Sequence, residues 1–149
     1  GFVYSSSVLP SFNPQSGYQE APRVPFLWPS GLIEFPSPTL GLGKFRLPIL
    51  GGAYLRLSPK MLVNVAQRNS SKNLGAWSYC HPYDFDVDEE FEIRKENGWL
   101  LSKLLFARRH LMLDRINNIV TPGSVSLGQI ANAFTSKNHL SVWDPLKKS

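Results

Sequence analysis

His81 is the residue best placed to do chemistry. It follows the apolar stretch Ala76-Trp77-Ser78-Tyr79-Cys80, precedes Pro82, and leads into Tyr83-Asp84-Phe85-Asp86. An imidazole titrates near neutrality and a neighbouring carboxylate can hold its tautomer, so this setting suits a general acid or base. It equally suits a histidine that only caps or hydrogen-bonds the end of a strand, and spacing alone does not choose. Asp84, Asp86 and Asp88 alternate like the first ligands of a calcium loop, but the sixth position is Glu89 and Glu96 comes one residue late for the twelfth. An EF-hand is therefore disfavoured, and a solvated acidic loop is expected. The chain has no His-x-x-x-His, His-Glu-x-x-His or Gly-x-Ser-x-Gly, and no Gly-rich loop ending in Lys-Ser or Lys-Thr. A complete zinc, serine-hydrolase or phosphate-binding site cannot be written from these residues.

The elements that must position His81 divide at Pro59. Nine of the twelve prolines fall in residues 10 to 59, which predicts short strands and turns there and no long helix. Residues 31–36 and 52–57 read as short strands bounded by Gly and Pro, with a turn-rich link over 40–48. Gly51-Gly52 permits positive φ or a close backbone approach, useful to a substrate-lining loop and to a plain turn alike. Ser58-Pro59 is a helix start signal, and Met61, Leu62, Val65 and Ala66 follow at helical spacing, predicting a helix over 59–69 that ends in the polar run 69–73. Residues 76–80 have strand composition. Strand, helix, strand is an α/β crossover, and it places His81 just past a strand's carboxyl end, where functional residues of such folds gather. Beyond it, Leu100, Leu101, Leu104 and Leu105 predict one apolar helix face, and Leu111, Met112, Arg115, Ile116 and Ile119 a second, closed by Thr121-Pro122-Gly123. Ser126 can cap a last helix carrying Leu127, Ile130, Ala131 and Phe134.

Composition bounds the function. The chain has 149 residues, 42% hydrophobic and 18% charged, enough apolar content for one globular domain or a piece of a larger one. A single cysteine excludes an internal disulfide framework and any cysteine-pair zinc site. No stretch approaches the ~20 apolar residues of a membrane span. The net charge is +5, yet residues 84–96 alone hold seven acids against two bases, so the rest of the chain is +10. Its cations are scattered, and a dedicated nucleic-acid site is not expected. The chain opens on Gly1 without a basic, then apolar, secretory leader and reads as entered midway.

The order of several segments resembles the C-terminal half of bacterial polysaccharide deacetylases, in the branch associated with exopolysaccharide biosynthesis. The segments are Tyr4-Ser5-Ser6-Ser7-Val8-Leu9-Pro10, Ala21-Pro22-Arg23, Gly31-Leu32-Ile33-Glu34-Phe35-Pro36, Leu47-Pro48 with Gly51 to Pro59, and Tyr79-Cys80-His81-Pro82-Tyr83-Asp84. Leu113-Asp114-Arg115 resembles that branch's later helical segment. The resemblance implies an α/β fold: the C-terminal portion of a distorted, incomplete (β/α) barrel over residues 1–96, a helical extension over 97–136 and an irregular tail over 137–149. It implies hydrolysis of N-acetyl groups on an amino-sugar polysaccharide, with a divalent metal, zinc in most relatives, as cofactor of the full-length enzyme. His81 matches the family's proton-donating histidine. Tyr54 and Arg56 match a segment of structural support or substrate lining. The family's Asp-Asp pair and His-x-x-x-His ligands precede the region where this chain begins, so the 149 residues alone are expected to bind no catalytic metal, to turn over nothing, and to need the N-terminal half of the same polypeptide as partner. The 42% hydrophobic content then implies apolar surface meant to pack against that half. A different reading, a non-catalytic carbohydrate-binding or scaffold module, is motivated by Tyr18, Phe26, Trp28, Trp77, Trp99 and Trp143, which core packing would explain as well. Compartment stays open between bacterial cytoplasm and cell envelope.

Overall fold

The computed structural model of the chain describes residues 1–12, 17–43, 45–71, 76–93, 95, 98–135 and 140–147. Prolines leave its N-terminal third only strands of two or three residues, because each one withdraws a ladder donor. Strands β1 (Tyr4–Ser5), β2 (Phe26–Leu27) and β3 (Ile33–Glu34) form one sheet in the order β1-β3-β2. β1 runs parallel to β3, and β2 antiparallel to it. The strand expected over 31–36 is thus β3 alone. The link over 40–48 is an antiparallel hairpin of β4 (Leu40–Leu42) and β5 (Phe45–Leu47).

Residues 52–57 overturn the strand expectation. They form helix α1 (Gly52–Leu57), with Gly52, Leu55 and Arg56 buried, the i, i+3, i+4 pattern of a helix face rather than the alternation of a strand. Gly52 sits at φ +46, so the chain can turn from extended Gly51 directly into the helix. Helix α2 (Lys60–Ser71) follows Ser58-Pro59 and buries Val63 and Ala66. Its predicted stop lies partly in 72–73, outside the described residues. Residues 76–80 are not a strand either: Tyr79 alone pairs, in one parallel bridge with Gly51 closed by Gly52 N–H donating to the Tyr79 carbonyl at 2.9 Å. The crossover therefore shrinks to a single bridge, with α1 and α2 as the connection.

The C-terminal part is helical, as its periodicity predicts. α3 (Gly98–Phe106), a 3-10 turn over Arg109–Leu111, α4 (Met112–Ile119) and α5 (Leu127–Thr135) follow one another. α4 buries Met112, Arg115 and Ile119. Ser126 caps α5 reciprocally with Gln129, accepting the Gln129 N–H at 3.2 Å while its own N–H donates to the Gln129 side chain at 3.0 Å. α3 departs from its pattern: Leu100 is 67% exposed and Leu104 42%, while Ser102 is the residue buried. No helix among the described residues is long and apolar enough to cross a membrane.

Three hydrophobic clusters hold these pieces. The largest joins Ile49, Leu50 and Leu55 to Val63 and Ala66 of α2 and to Met112 and Ile119 of α4. A second packs Ile33 and Phe35 against Ala131 of α5. The third contains Val8, Ala21 and Phe26, with Trp28 and Trp143 against them. Residues 140–147 form neither helix nor strand, yet they are docked: Leu27 N–H donates to Ser141 and Trp143 N–H donates back to Leu27. Glu34, wholly buried in β3, accepts the N–H groups of Ser7 at 2.8 Å and Val8 at 2.9 Å and the Trp28 indole at 3.1 Å, tying the N-terminal segment to the sheet. The chain is mixed α/β; among the described residues there are two small sheets, and a barrel is not shown.

Candidate functional site

The site is assembled from the inside out, beginning with a helix end. α3 ends at Phe106, and Arg108 two residues beyond it adopts the left-handed conformation at φ 58, so the chain turns away and the carbonyls at the helix end face side chains instead of a further helical turn. Arg56, fully buried on α1, collects them. Its Nη2 donates to the Leu105 carbonyl at 2.7 Å, and its Nη1 to the carbonyls of Ala107 and Leu104. A cation is well placed there, because the macrodipole makes a helix C-terminus partially negative. The remaining edge of the guanidinium, Nε, donates to Asp84 Oδ1 at 3.1 Å. Asp84 is as deeply buried as Arg56, so the two charges compensate each other away from water.

Asp84 then fixes His81. Its second oxygen, Oδ2, accepts the His81 backbone N–H at 3.0 Å, and Asp84 N–H donates to the His81 carbonyl at 2.9 Å, closing a 3-10 turn over Pro82–Asp84. The same Oδ2 lies 3.5 Å from His81 Nδ1, an ion-pair distance for a protonated ring. Pro82 at the first position of the turn sets the direction of the chain. The imidazole is held by its faces as well. It stacks on Tyr83 with centroids 4.9 Å apart and planes 7° from parallel, and Tyr79 meets it edge-on at 6.2 Å. Its side chain is still 51% exposed, so the nitrogen opposite Nδ1, Nε2, is the one available to a ligand.

Tyr79 is seated by glycine. A Cβ on Gly51 would lie 2.0 Å from Tyr79 Cε1, so the ring can rest on this backbone only where there is no side chain. Burial pushes the Tyr79 phenol up to about 12, with Tyr54, Asp84 and Tyr83 adding to the shift. Its hydroxyl stays a neutral donor throughout the physiological range. Burial also raises the Cys80 thiol, against a weaker opposing hydrogen bond from Ser78, which disfavours the thiolate needed for cysteine nucleophilicity.

The residues singled out in the sequence fall in different places. His81 is on the surface with an oriented ring. Arg56 has no exposed surface, so it lines no substrate face in this structure; it supports Asp84. Tyr54, on the same helix, is 40% exposed. Asp84 belongs to the site rather than to a solvated acidic loop, and the His-Pro-x-Asp spacing, in which a carboxylate three residues on bonds back to the histidine N–H, is the signal that could have separated it from its acidic neighbours. Asp86 does form a local turn, accepting the N–H groups of Asp88 and Glu89 at 3.1 Å each. Arg109 bonds the Asp86 carbonyl at 2.9 Å, pairs with Glu89 and stacks on Phe106, pinning this loop to α3. Among the aromatics, Phe26, Trp28, Tyr18 and Trp143 pack edge-on or tilted on one another, Trp99 is exposed beneath Lys103, and Trp77 is half-buried beside a cavity. Among the described residues, no three His, Cys, Asp or Glu side chains lie together in a way that could hold a metal ion, so these residues do not by themselves fit the divalent metal that the resemblance implies.

Comparison with known proteins gives one relationship. No curated protein and no solved structure matches the chain. A family model matches residues 6–134, which include every residue of the site described above, and the chain belongs to that family, Domain of unknown function (DUF3473).

Proposed function

We propose that this chain supplies the proton-donating histidine of a metal-dependent polysaccharide deacetylase, which removes N-acetyl groups from an amino-sugar polymer. The observation that carries the reading is the buried Arg56–Asp84 pair holding the half-exposed ring of His81. The order of segments resembling that enzyme family supports it. In this reading the incomplete barrel is finished, and the metal and its ligands are supplied, by a segment N-terminal to Gly1.

The chemistry asked of the present residues is one proton transfer. Amide hydrolysis adds water across the C–N bond, giving acetate and a free amine, and the departing nitrogen must gain a proton as the bond breaks. Protonated His81 donates it from Nε2. Asp84, facing Nδ1, stabilises the imidazolium and sets the ring's orientation. Arg56 pairs with Asp84 in its dry setting and anchors it to the end of α3, so the carboxyl group need not reorganise during the step.

The test is acetate release from an N-acetylhexosamine oligomer by the full-length protein. His81→Gln is expected to lower the rate by about 100-fold or more, the usual scale of acid–base catalysis, with metal content unchanged. Asp84→Asn should lower it less and shift the pH profile. Wild-type turnover in His81→Gln overturns the assignment, and absence of acetate release from the full-length protein overturns the enzyme reading altogether.

A further inference from the structure

A cavity of about 80 Å³ opens beside Trp77, between the end of β3, the end of α2 and the α5 face. At 10–15 Å³ of such space per molecule it has room for about five to eight waters, a volume suited to one sugar ring rather than a polymer. Its walls are mainly apolar, from Phe35, Leu127, Ile130 and the Trp77 indole, with Arg23, Thr39, Asn69 and Ser70 as its polar lining. An apolar cavity with a few fixed polar groups is the usual form of a small-ligand site. We propose that this cavity is a subsite for one carboxylate-bearing sugar unit, a uronic acid, within an acidic polysaccharide.

Shape and charge both lead there. An indole face offers the flat apolar surface on which the C–H face of a pyranose stacks. Arg23 is held in place by two backbone acceptors, donating to Thr39 at 2.7 Å and Gly41 at 3.4 Å, which among the described residues leaves three of its five N–H groups for a ligand. No carboxylate lines the cavity among the described residues, and the Arg23 pKa is lowered by burial first and by the neighbouring Arg46 cation second. A guanidinium so placed gains from an anion and matches a carboxylate in a forked geometry. The Thr39 hydroxyl is buried without a partner, so turning it to a ligand breaks no existing hydrogen bond.

The cavity also communicates with His81. Trp77, Tyr79 and His81 alternate along one extended segment, and their rings follow one another at 6.2 Å per step. A short oligosaccharide spans those two steps, so one unit can sit on Trp77 while another reaches the imidazole. This link to His81 rests on the deacetylase reading; binding in the cavity does not.

Two probes test the proposal: a glucuronate-containing disaccharide and a neutral N-acetylglucosamine disaccharide, titrated into the chain at low salt and followed by tryptophan fluorescence and calorimetry. The acidic probe is expected to bind about 10-fold or more tightly than the neutral one, as a charge-assisted hydrogen bond allows, and to lose that advantage as salt screens the charge. Arg23→Gln should abolish the preference, and Trp77→Ala should remove binding of both. Because Trp77 also packs against the Phe35 cluster, Thr39→Val serves as a milder second variant, folded by circular dichroism and several-fold weaker for the acidic probe. No binding, equal affinity for the two probes, or a preference unchanged in Arg23→Gln overturns the proposal. Acetate release without cavity binding defeats the subsite alone, and cavity binding without acetate release defeats the deacetylase reading alone.

Discussion

Replacing Arg56 by methionine keeps the apolar stem of the side chain and deletes its charge, which isolates what the guanidinium does. Two groups lose their partner. Asp84, with 1% of its side chain exposed, is left as a buried carboxylate without its cation. At the end of α3 the Ala107 carbonyl loses its donor, while the carbonyls of Leu104 and Leu105 lose one donor each and keep Ala107 N–H and Arg109 Nε. Breaking a buried ion pair from one side costs about 3–5 kcal/mol, and an abandoned buried acceptor about 1–3 kcal/mol. Leu104 is exposed and water can rehydrate part of that helix end, so the carbonyls add at the low end and the expected total is about 4–6 kcal/mol. Domains of this size are stable by roughly 5–15 kcal/mol, so Arg56→Met should lie close to its unfolding threshold.

Urea denaturation followed by far-ultraviolet circular dichroism reads this directly, and a cycle with Asp84→Leu separates the two losses. The double variant removes the stranded charge, so it should be more stable than Arg56→Met alone; the carbonyl loss persists in both. If Arg56→Met is too unfolded to titrate, Arg56→Lys offers a measurable intermediate, because an ammonium keeps the charge but cannot reach three carbonyls and a carboxylate in a planar fork. A destabilisation below about 1 kcal/mol in Arg56→Met, the range of an exposed pair, would refute the reasoning, as would a double variant less stable than the single.

Three further outcomes follow from the same geometry. Glu34→Gln should destabilise the chain by about 1–3 kcal/mol, because the amide presents a donor where Glu34 accepts from Ser7, Val8 and Trp28, and thermal unfolding checks it. Tyr79 ionises near 10 when unfolded but near 12 when folded; between those values the unfolded chain has lost a proton that the folded chain keeps, so stability is full below pH 10 and falls as pH rises toward 12. With solvent screening the loss should be at most about 2 kcal/mol, seen by denaturation across the alkaline range and absent in Tyr79→Phe. Gly51→Ala should displace the Tyr79 ring at a cost of about 1–3 kcal/mol, measured by urea titration, and a change at His81 in its NMR spectrum should accompany it.

What the sequence made legible follows the range over which its signals act. Ser58-Pro59, Ser126 and the spacing of Met112, Arg115 and Ile119 are local signals, and the helices they predict are present. Residues 52–57 misled because Ala53-Tyr54-Leu55-Arg56-Leu57 alternates like a strand, and the polar member of the pair that settles the matter is buried: an arginine at an inward helix position carries no hydrophobic signature. Leu100, Leu101 and Leu104 of α3 misled in the opposite sense, since they make a helix face that stays exposed. His81 was recognisable from its place after an apolar run. Its support was not, because Arg56 and Asp84 stand 28 residues apart and α3 lies nearly 50 residues from Arg56, and no periodicity connects them. Glu34 was hidden likewise, its partners lying 27 and 26 residues earlier and, for Trp28, only 6 away.

The way α3 is fixed bears on the site more than its own packing does. Leu100, Leu101 and Leu104 face outward, Leu105 is only half-buried and the helix's buried position is a serine, so hydrophobic burial gives this helix little purchase on the rest of the chain. Polar ties take that place: Arg56 and Arg109 both bond carbonyls of its last turn, and Arg108 reaches the Leu57 carbonyl at 3.2 Å. Such ties are directional, so they fix where the helix ends more sharply than they resist its tilting. Any displacement of that end is felt first by Arg56, then by Asp84, then by His81, whose backbone N–H and ring Nδ1 both meet the same carboxylate oxygen. The orientation of His81 is therefore set by the position of a helix whose apolar face is open, and a substitution such as Leu104→Ala, which removes exposed surface without touching these bonds, should leave it unchanged.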